Sequence, residues 1–300
     1  MKYIKFQDKK GTFTIQSPEN YSGLYFPLAG DGGLKSSITP NLGGDSKTDQ
    51  NHFLLEPVSI ENLHNNRSTR NFWCRIEGKG CWSATGISAE QELQKFTEAQ
   101  DKSILEAGFM WQKVTRTSAK YGLQSEITSF VDVDGVAEIE LVRIKNISEE
   151  VIKITPIAAI PLYGRSADNI RDHRHVTSLL HRINTTEYGV EVTPVLSFDE
   201  RGHQKNHTTY FVYGYSEKGD APEAFYPTVQ EFIGEGGTYL NPEAVRKNKP
   251  GRMAGSRAEG KEAMGGICFA DVELKPQETA GFIILAGLTE KKENIAKNCT

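Results

Sequence analysis

The chain has 300 residues, of which 37% are hydrophobic and 25% are charged, and its formal net charge is -4 at pH 7. This composition suits one large globular domain or two ordinary ones and excludes a disordered chain. The weakly acidic balance gives no electrostatic reason to expect nucleic acid. No apolar run reaches the roughly 20 residues that span a bilayer, and the N-terminus lacks the apolar core of a signal peptide. We therefore expect a cytoplasmic protein without membrane contact.

The first half of the chain contains turns, a polar segment and a short helix. Gly30–Gly33 lacks the spacing of a phosphate-binding loop, so it predicts ordinary turns. The polar segment Asp45–His52 predicts a solvated loop before a strand that starts at Phe53. Ser88–Phe96 predicts a helix, because Ser88 is followed at the third position by Gln91, in the pattern of a capping box.

The centre of the chain predicts β-strands. Leu123–Val131 is one of them. In Ala137–Lys145 apolar and charged residues alternate, but the phase slips after Leu141, which predicts a β-bulge. The turn residues 146–150 are followed by a restarted pattern at Ile152, so we predict a hairpin at this point.

The last third of the chain continues the β pattern and ends in a helical one. Thr208–Tyr215 predicts a strand, and Cys268–Leu274 with Gly281–Ala286 predicts a second hairpin around a polar turn. Thr289–Asn298 predicts the start of a helix. Many strands, frequent turns and few helices predict a mainly β fold, a single large antiparallel sandwich over residues 1–288, with residues 289–300 outside it.

The segment most suggestive of function joins a buried strand to a charged loop. Ile154–Tyr163 is apolar and β-branched, and Gly164–His175 is rich in charged residues. A rigid strand that leads into a polar loop is a common way to present ligand-binding groups. The arginines can bind an anion or a polyhydroxylated ligand. The alternative is that they pair internally with aspartates and glutamates of the same region. The four arginines are Arg165, Arg171, Arg174 and Arg182, and the proposed internal partners are Asp168, Asp172 and Glu187.

Metal binding and cysteine chemistry receive little support. His173 and His175 have a spacing that could ligate zinc, but the neighbouring arginines repel a cation, so we predict no metal. The four cysteines show no CxxC spacing and are expected to be reduced thiols. No signature of a serine hydrolase or of an HExxH metalloprotease occurs in the sequence.

Thirteen segments carry a resemblance to a known family, in order along most of the chain. The segments are Leu24–Ala29, Ser36–Asp45, Thr48–Asn51, Phe53–Val58, Leu63–Ser68, Arg70–Trp73, Glu77–Gly86, Leu105–Phe109, Ile160–Asn169, Asp172–Ser178, Leu196–Gly202, Phe232–Gly237 and Pro242–Ala244. Together they resemble the N-terminal β-sandwich of the inverting phosphorylases of glycoside hydrolase family 94, particularly those that act on 1,2-β-oligoglucans.

The resemblance implies a supersandwich of the galactose-mutarotase type, followed by a helical linker at 289–300 and an (α/α)6 barrel. In the family, that barrel carries the general-acid aspartate and the phosphate site, and no residue of this chain matches the acid. The implied reaction uses inorganic phosphate as co-substrate, needs no cofactor, and releases glucose 1-phosphate from β-1,2-linked oligoglucans. The chain alone is expected to be inactive and to shape the cleft and make subunit contacts, with the barrel and a second copy of the chain as partners.

The resemblance also implies a role for the charged loop. In similar phosphorylases a sandwich loop that carries an Asn and an Arg reaches the sugar cleft, in some members across a dimer interface. The residues of this chain that match that loop and its surroundings, and that we expect to bind substrate, are Asn169, Arg171, Asp172, His173, Arg174 and His175.

Two other functions remain open on the sequence. One is a standalone carbohydrate-binding sandwich. The other is an aldose epimerase of the mutarotase type, which would use His173 or His175 together with a carboxylate.

Overall fold

The computed structural model describes residues 4–21, 23–59, 66–167, 174–199 and 202–290. Within these ranges the strands form four antiparallel sheets, and the largest has eleven strands. With strands numbered along the chain, its spatial order is β1 (Ile4–Phe6), β2 (Phe13–Gln16), β9 (Lys102–Gly108), β10 (Trp111–Ser118), β11 (Leu123–Val131), β12 (Ala137–Asn146), β23 (Thr279–Thr289), β18 (Thr209–Ser216), β15 (Gly189–Pro194), β14 (His181–Thr185) and β20 (Arg257–Glu259).

The second large sheet has six strands and lies against the first. It runs β19 (Ala224–Thr228), β21 (Ala263–Cys268), β13 (Ile152–Leu162), β7 (Asn71–Ile76) and β8 (Gly80–Ser83), and β22 (Val272–Leu274) also pairs with β13. The remaining strands form a four-stranded sheet, β3 (Phe26–Ala29), β4 (Lys35–Ile38), β5 (Ser46–Asp49) and β6 (His52–Phe53), and a hairpin of β16 (Leu196–Asp199) and β17 (Gly202–Lys205).

The helices of the described ranges are short. They are α1 (Ala89–Gln94), α2 (Arg174–Thr177), α3 (Val229–Ile233) and α4 (Glu243–Arg246), and three single 3-10 turns cover Pro18–Asn20, Asn66–Ser68 and Ser178–Leu180. None of them has the length and apolar character required to cross a bilayer. The predicted mainly β antiparallel sandwich is therefore confirmed.

The main core lies between the two large sheets, and strand alternation decides which side chains enter it. Along β13, Ile154, Ala158 and Ile160 join that core. The intervening Ile157 and Ala159 pack on the opposite face, with residues of α3 and α4. Because β13 is buried on both faces, its sequence reads as a continuous apolar run, as predicted.

Both predicted hairpins are wrong, because in each case the two strands belong to different sheets. β12 pairs with β11 and β23, whereas β13 pairs with β7, β21 and β22. Likewise β22 pairs with β13, whereas β23 pairs with β12 and β18. Buried Asn146 stabilises the turn in which the chain passes from β12 in one sheet to β13 in the other. Its side-chain amide nitrogen donates to the carbonyls of Glu150 at 2.7 Å and Leu274 at 2.9 Å.

The predicted bulge in β12 is also absent. The register with both neighbouring strands is continuous, so Glu138 and Glu140 occupy the inner face that Val142 and Ile144 continue. Glu138 is held by a two-pronged ion pair with Arg70, at 2.5 Å from Nε and 2.8 Å from a terminal nitrogen. The apparent phase slip therefore reflects two interior carboxylates and not an extra residue.

These interior charges differ in protonation. Burial raises the pKa of Glu138, but the Arg70 guanidinium outweighs burial and leaves the pKa below its ordinary value. Burial raises the pKa of Glu140 well above 4.5, and the Glu138 carboxylate raises it further. Glu140 therefore retains its proton under conditions in which an exposed glutamate has lost it.

Two local predictions have opposite outcomes. Ser88 caps α1, since its hydroxyl accepts a hydrogen bond from the Gln91 amide at 3.1 Å, although the helix ends at Gln94. The segment Asp45–His52 is not a solvated loop, because it contains β5 and the start of β6. Ser46 is fully buried there, and the hydroxyl of Ser36 donates to it at 2.7 Å.

Candidate functional site

The candidate site is the base of the charged loop that follows β13. Residues 168–173 lie outside the described residues, and with them Asn169, Arg171, Asp172 and His173. Arg174 and His175 are the first two residues of α2, and only their backbone is described. The structure therefore fixes where the loop leaves the sandwich, after residue 167, and where it returns, at residue 174. The candidate site consists of the residues around these two points.

The chain that enters the loop is fixed by backbone pairing to the end of β6. The amide of Phe53 donates to the carbonyl of Arg165 at 2.9 Å, and the amide of Gly164 donates to the carbonyl of Phe53 at 3.0 Å. One residue before the loop, the Ala167 amide donates to the Gln50 carbonyl at 3.0 Å. The strand within Asp45–His52 is paired in its own sheet, β5 with β4 and β6, and the loop base joins that sheet through Phe53.

Arg165 is the central side chain of this base. Its side chain is only 4% exposed, and its terminal nitrogen Nη2 lies 3.0 Å from Glu262 Oε2. Its Nε donates to His181 Nε2 at 3.3 Å, and its guanidinium lies 5.1 Å from the centre of the Tyr163 ring. Burying a guanidinium charge is costly unless the charge is paired, so these contacts hold Arg165 in one place.

His181 is a neutral imidazole that links Arg165 to a backbone carbonyl by two hydrogen bonds. Its Nδ1 lies 3.1 Å from the Lys261 carbonyl and donates to it, which leaves Nε2 to accept from Arg165. Burial lowers the pKa of His181 to about 3, and the Arg165 charge contributes to the shift. The imidazole therefore does not exchange protons near neutral pH, and it positions the arginine.

The side of the loop base facing β5 and β6 carries an acidic residue. The carboxylate of Asp49 accepts a hydrogen bond from His52 Nδ1 at 2.9 Å. Burial raises the pKa of Asp49, but hydrogen bonds from Asn51 and His52 outweigh burial, so the pKa lies below its ordinary value. Burial raises the pKa of the nearby Tyr210 hydroxyl, and the Asp49 charge raises it further. Asp49 is thus an anion and Tyr210 a neutral phenol at physiological pH.

Two arginines of the region, Arg165 and Arg182, have carboxylate partners among the described residues. Arg165 pairs with Glu262, and Arg182 lies 3.6 Å from Glu259. Internal pairing therefore occurs for these two residues, with carboxylates that follow or end β20. The predicted partners Asp168 and Asp172 lie outside the described residues. Sequence reasoning missed Glu262 and His181, because neither stands at a spacing that links it to the loop.

The described part of the site consists of polar groups in fixed positions where a polar loop joins the sandwich. It holds a fixed cation, a neutral imidazole and a neutral phenol close to the two points where residues 168–173 leave and rejoin the sandwich.

The fold is a large antiparallel β-sandwich of the supersandwich type. Residues 30–300 match the family model described as glycosyl hydrolase 94, supersandwich domain. The match covers most of the chain, so the protein belongs to that family. No curated protein sequence matches the chain.

Several solved structures are similar to the chain at low sequence identity. A bacterial glucoamylase complexed with acarbose is similar with a TM-score of 0.50 and 9% identity, over 98% of this chain and 34% of that one. A polysaccharide lyase gives a TM-score of 0.43 and 11% identity, over 92% and 34%. A human-microbiome protein assigned as a kojibiose phosphorylase gives 0.43 and 8%, over 99% and 35%. The chain spans about a third of the length of each of these structures.

Proposed function

We propose that the chain is the supersandwich domain of an inverting glycoside phosphorylase that cleaves β-1,2-linked oligoglucans with inorganic phosphate. The observation that supports this proposal is the family match over residues 30–300. The (α/α)6 barrel that would follow residue 300 supplies the general acid and the phosphate site. We place the start of the linker in residues 289–300, of which Thr289 is the last residue of β23 and residues 291–300 lie outside the described residues. The enzyme is proposed to act in the cytoplasm.

The proposed reaction balances without a protein nucleophile. A phosphate oxygen attacks the anomeric carbon as the C1–O glycosidic bond breaks on the opposite face. The general acid of the barrel gives its proton to the departing sugar oxygen. Inversion converts a β-glycosidic bond into α-glucose 1-phosphate, and the acceptor chain leaves one residue shorter.

The role proposed for this chain is to hold the sugar on the acceptor side and to contact a second subunit. The loop residues 168–173, with Arg174 and His175, would contact hydroxyls of the oligosaccharide in the same enzyme or in a partner copy. The Arg165–His181–Glu262 contacts support this role, because they anchor both ends of that loop on one cluster. No catalytic acid is assigned to this chain.

The direct test measures glucose 1-phosphate release by the whole enzyme. We expect phosphorolysis of β-1,2-linked oligoglucans, with little or none for β-1,3, β-1,4 and α-linked glucans, and an α-configured product in a proton NMR spectrum. The 300-residue chain alone is expected to release none. Phosphorolysis by the isolated chain, or a β-configured product, would contradict the proposal.

Loop variants test the assignment of the substrate contacts. Asn169→Ala and Arg171→Ala are expected to raise the KM for the oligosaccharide by about tenfold each, which corresponds to the loss of one good hydrogen bond to a charged or polar group. The KM for phosphate should stay within about twofold. Lys275→Ala, in an exposed turn between β22 and β23, is the matched control. Equal effects on both KM values would show that the loop acts on the fold and not on the sugar.

A further inference from the structure

Two carboxyl groups lie next to each other inside the sandwich, on the inner face of β12. Glu138 is fully buried and Glu140 is 3% exposed. Residues two apart on one strand project from the same face. After burial and the nearby charges, a hydrogen bond between the two carboxyl groups is a further cause of both pKa shifts. Since an ionised carboxylate only accepts hydrogen bonds, such a bond requires a proton on one of the two groups.

Among the described residues, one cation forms an ion pair with these carboxyl groups. Arg70 holds Glu138 by two hydrogen bonds, and a third nitrogen of its guanidinium donates to the carbonyl of Gly44. The carboxylate of Asp45 also acts on the Arg70 charge. One guanidinium therefore faces more than one carboxyl group, and Glu140 avoids a costly buried charge by retaining its proton.

The hydrogen bonds of Glu140 indicate which of its oxygens carries that proton. The hydroxyl of Ser129 in β11 donates to Glu140 Oε2 at 2.5 Å. Within the described ranges, Glu140 Oε1 is buried and accepts no hydrogen bond. An O–H group at Oε1 requires no donor, and it can itself donate to the Glu138 carboxylate.

The space beside Glu140 is too small for a hydrated cation. A cavity of about 10 Å³ touches Glu140 and Arg70, and it has room for no more than one water molecule. Its other walls come from β7, β11, β12, β13 and β23 and contain no titratable side chain. These lining residues are Asn71, Phe72, Ile127, Val142, Ala158, Ile160 and Ile284. A proton is therefore the second positive charge that this interior accommodates.

From this arrangement we propose that Glu138 and Glu140 form a carboxyl pair that binds one proton and acts as a pH-sensitive switch for the four-stranded sheet β3–β6. In the protonated state the O–H of Glu140 donates to the Glu138 carboxylate, and Arg70 neutralises the single negative charge. Loss of the proton leaves two facing carboxylates for one guanidinium, and their repulsion favours states in which water reaches the pair. The proposal depends neither on phosphorolysis nor on the loop at 168–173.

The four-stranded sheet is the element that the carboxyl pair holds directly. The hydroxyl of Ser36 in β4 donates to Glu138 and also to Ser46 of β5 at 2.7 Å. Arg70 donates to the carbonyl of Gly44, in the segment that joins β4 to β5, at 2.6 Å. Opening of this sheet therefore breaks the hydrogen bonds that Glu138 and Arg70 make with it.

The switch reaches the loop base through β6. Phe53, the last residue of that strand, exchanges backbone hydrogen bonds with Arg165 and Gly164. The contacts of the Arg165 side chain with Glu262 and His181 do not involve the four-stranded sheet. Opening of the sheet therefore removes the backbone attachment of the loop base and leaves the Arg165 side-chain contacts in place.

Infrared spectroscopy of the 300-residue chain in D2O tests the shared proton, because a protonated carboxyl group has a C=O stretching band that carboxylates lack. At about pH 7, where exposed carboxyl groups are ionised, the wild-type chain should show such a band and Glu140→Gln should lack it. Glu138→Gln should lose the band as well, because Glu140 then becomes the carboxylate that pairs with Arg70. Glu259→Gln, at an exposed carboxylate outside the pair, is the control and should retain the band.

Hydrogen exchange tests the coupling to the four-stranded sheet. As the pH rises from 4.5 toward the raised pKa of Glu140, opening of the sheet releases one proton. The protection of the β4 and β5 amides, corrected for the intrinsic exchange rate, should therefore fall by up to about tenfold per pH unit. Glu140→Gln keeps an N–H donor beside Glu138 and should remove this pH dependence. Because the opening is local, these amides should exchange faster than those of β15 at every pH.

Four results would overturn the proposal. The wild-type chain could lack the carboxyl band at about pH 7, or the band could persist in Glu138→Gln, which would show that Glu140 holds its proton independently of a pair. The protection of β4 and β5 could have the same pH dependence in the wild type and in Glu140→Gln. Equal protection of β4, β5 and β15 would show that only global unfolding exposes the pair.

Discussion

Replacing Arg70 with methionine tests the interior ion pair that the fold builds between the two sheets. Arg70 and Glu138 are each 1% exposed as side chains, and the pair is joined at 2.5 Å and 2.8 Å. The same guanidinium donates to the Gly44 carbonyl at 2.6 Å, so it also ties the four-stranded sheet region to β12. Arg70→Met leaves Glu138 buried without its cation, and removing one partner of such a pair costs about 3–5 kcal/mol.

The loss should depend on pH in a defined direction. In the variant, Glu138 escapes its unpaired charge by binding a proton, so its pKa rises above the ordinary value. The native variant then binds a proton that the unfolded chain releases near 4.5, and its stability falls as pH rises through that window. The cost of Arg70→Met should therefore be larger at about pH 8 than at about pH 5.

Urea denaturation monitored by tryptophan fluorescence measures both quantities. The double variant Arg70→Met with Glu138→Leu is the control, because replacing both charges with apolar groups is often neutral for stability. A cost below about 1 kcal/mol for Arg70→Met near neutral pH, or a cost that is the same at both pH values, would refute this reasoning. A double variant as unstable as the single one would show that packing and not charge is responsible.

Three further predictions follow from other sites. Glu140→Gln should flatten the pH dependence of the free energy of unfolding. In the wild-type protein the pKa of Glu140 is raised above 4.5, so the free energy of unfolding falls as the pH rises above that value, by at most about 1.4 kcal/mol per pH unit. An unchanged slope of this free energy against pH in urea titrations would contradict the prediction. Gly265→Ala should destabilise by about 1–3 kcal/mol, because its Cβ would lie 2.4 Å from Val212, and adding Val212→Ala should restore part of the loss. Arg165→Met should cost about 1–3 kcal/mol by removing the cation that Glu262 contacts and should raise the oligosaccharide KM with little change in the phosphate KM.

Elements whose pattern is complete within a few residues could be predicted from sequence. β11, β18 and β13 were predicted within about two residues of their bounds. The N-cap at Ser88 was found because capping depends on residues three apart. Each of these signals is local, so distant parts of the chain do not change it.

Strand partners could not be predicted, because pairing in a sandwich is decided by distant strands. β12 and β13 are joined by a short turn and look like a hairpin, yet β12 pairs with β23, more than a hundred residues further along the chain. The two inward glutamates of β12 illustrate the same limit. Glu138 reads as a surface residue until Arg70, 68 residues away, neutralises it.

The same division applies to the candidate site. The sequence by itself indicated a mainly β sandwich, a strand that ends in a charged loop, and a family resemblance that the family match over residues 30–300 confirms. Only the tertiary structure placed Glu262 on Arg165, across 97 residues of chain, and set His181 as the neutral acceptor of a second hydrogen bond from Arg165. Burial decides such ion pairs, because a guanidinium removed from water requires a partner that only the folded chain brings within reach.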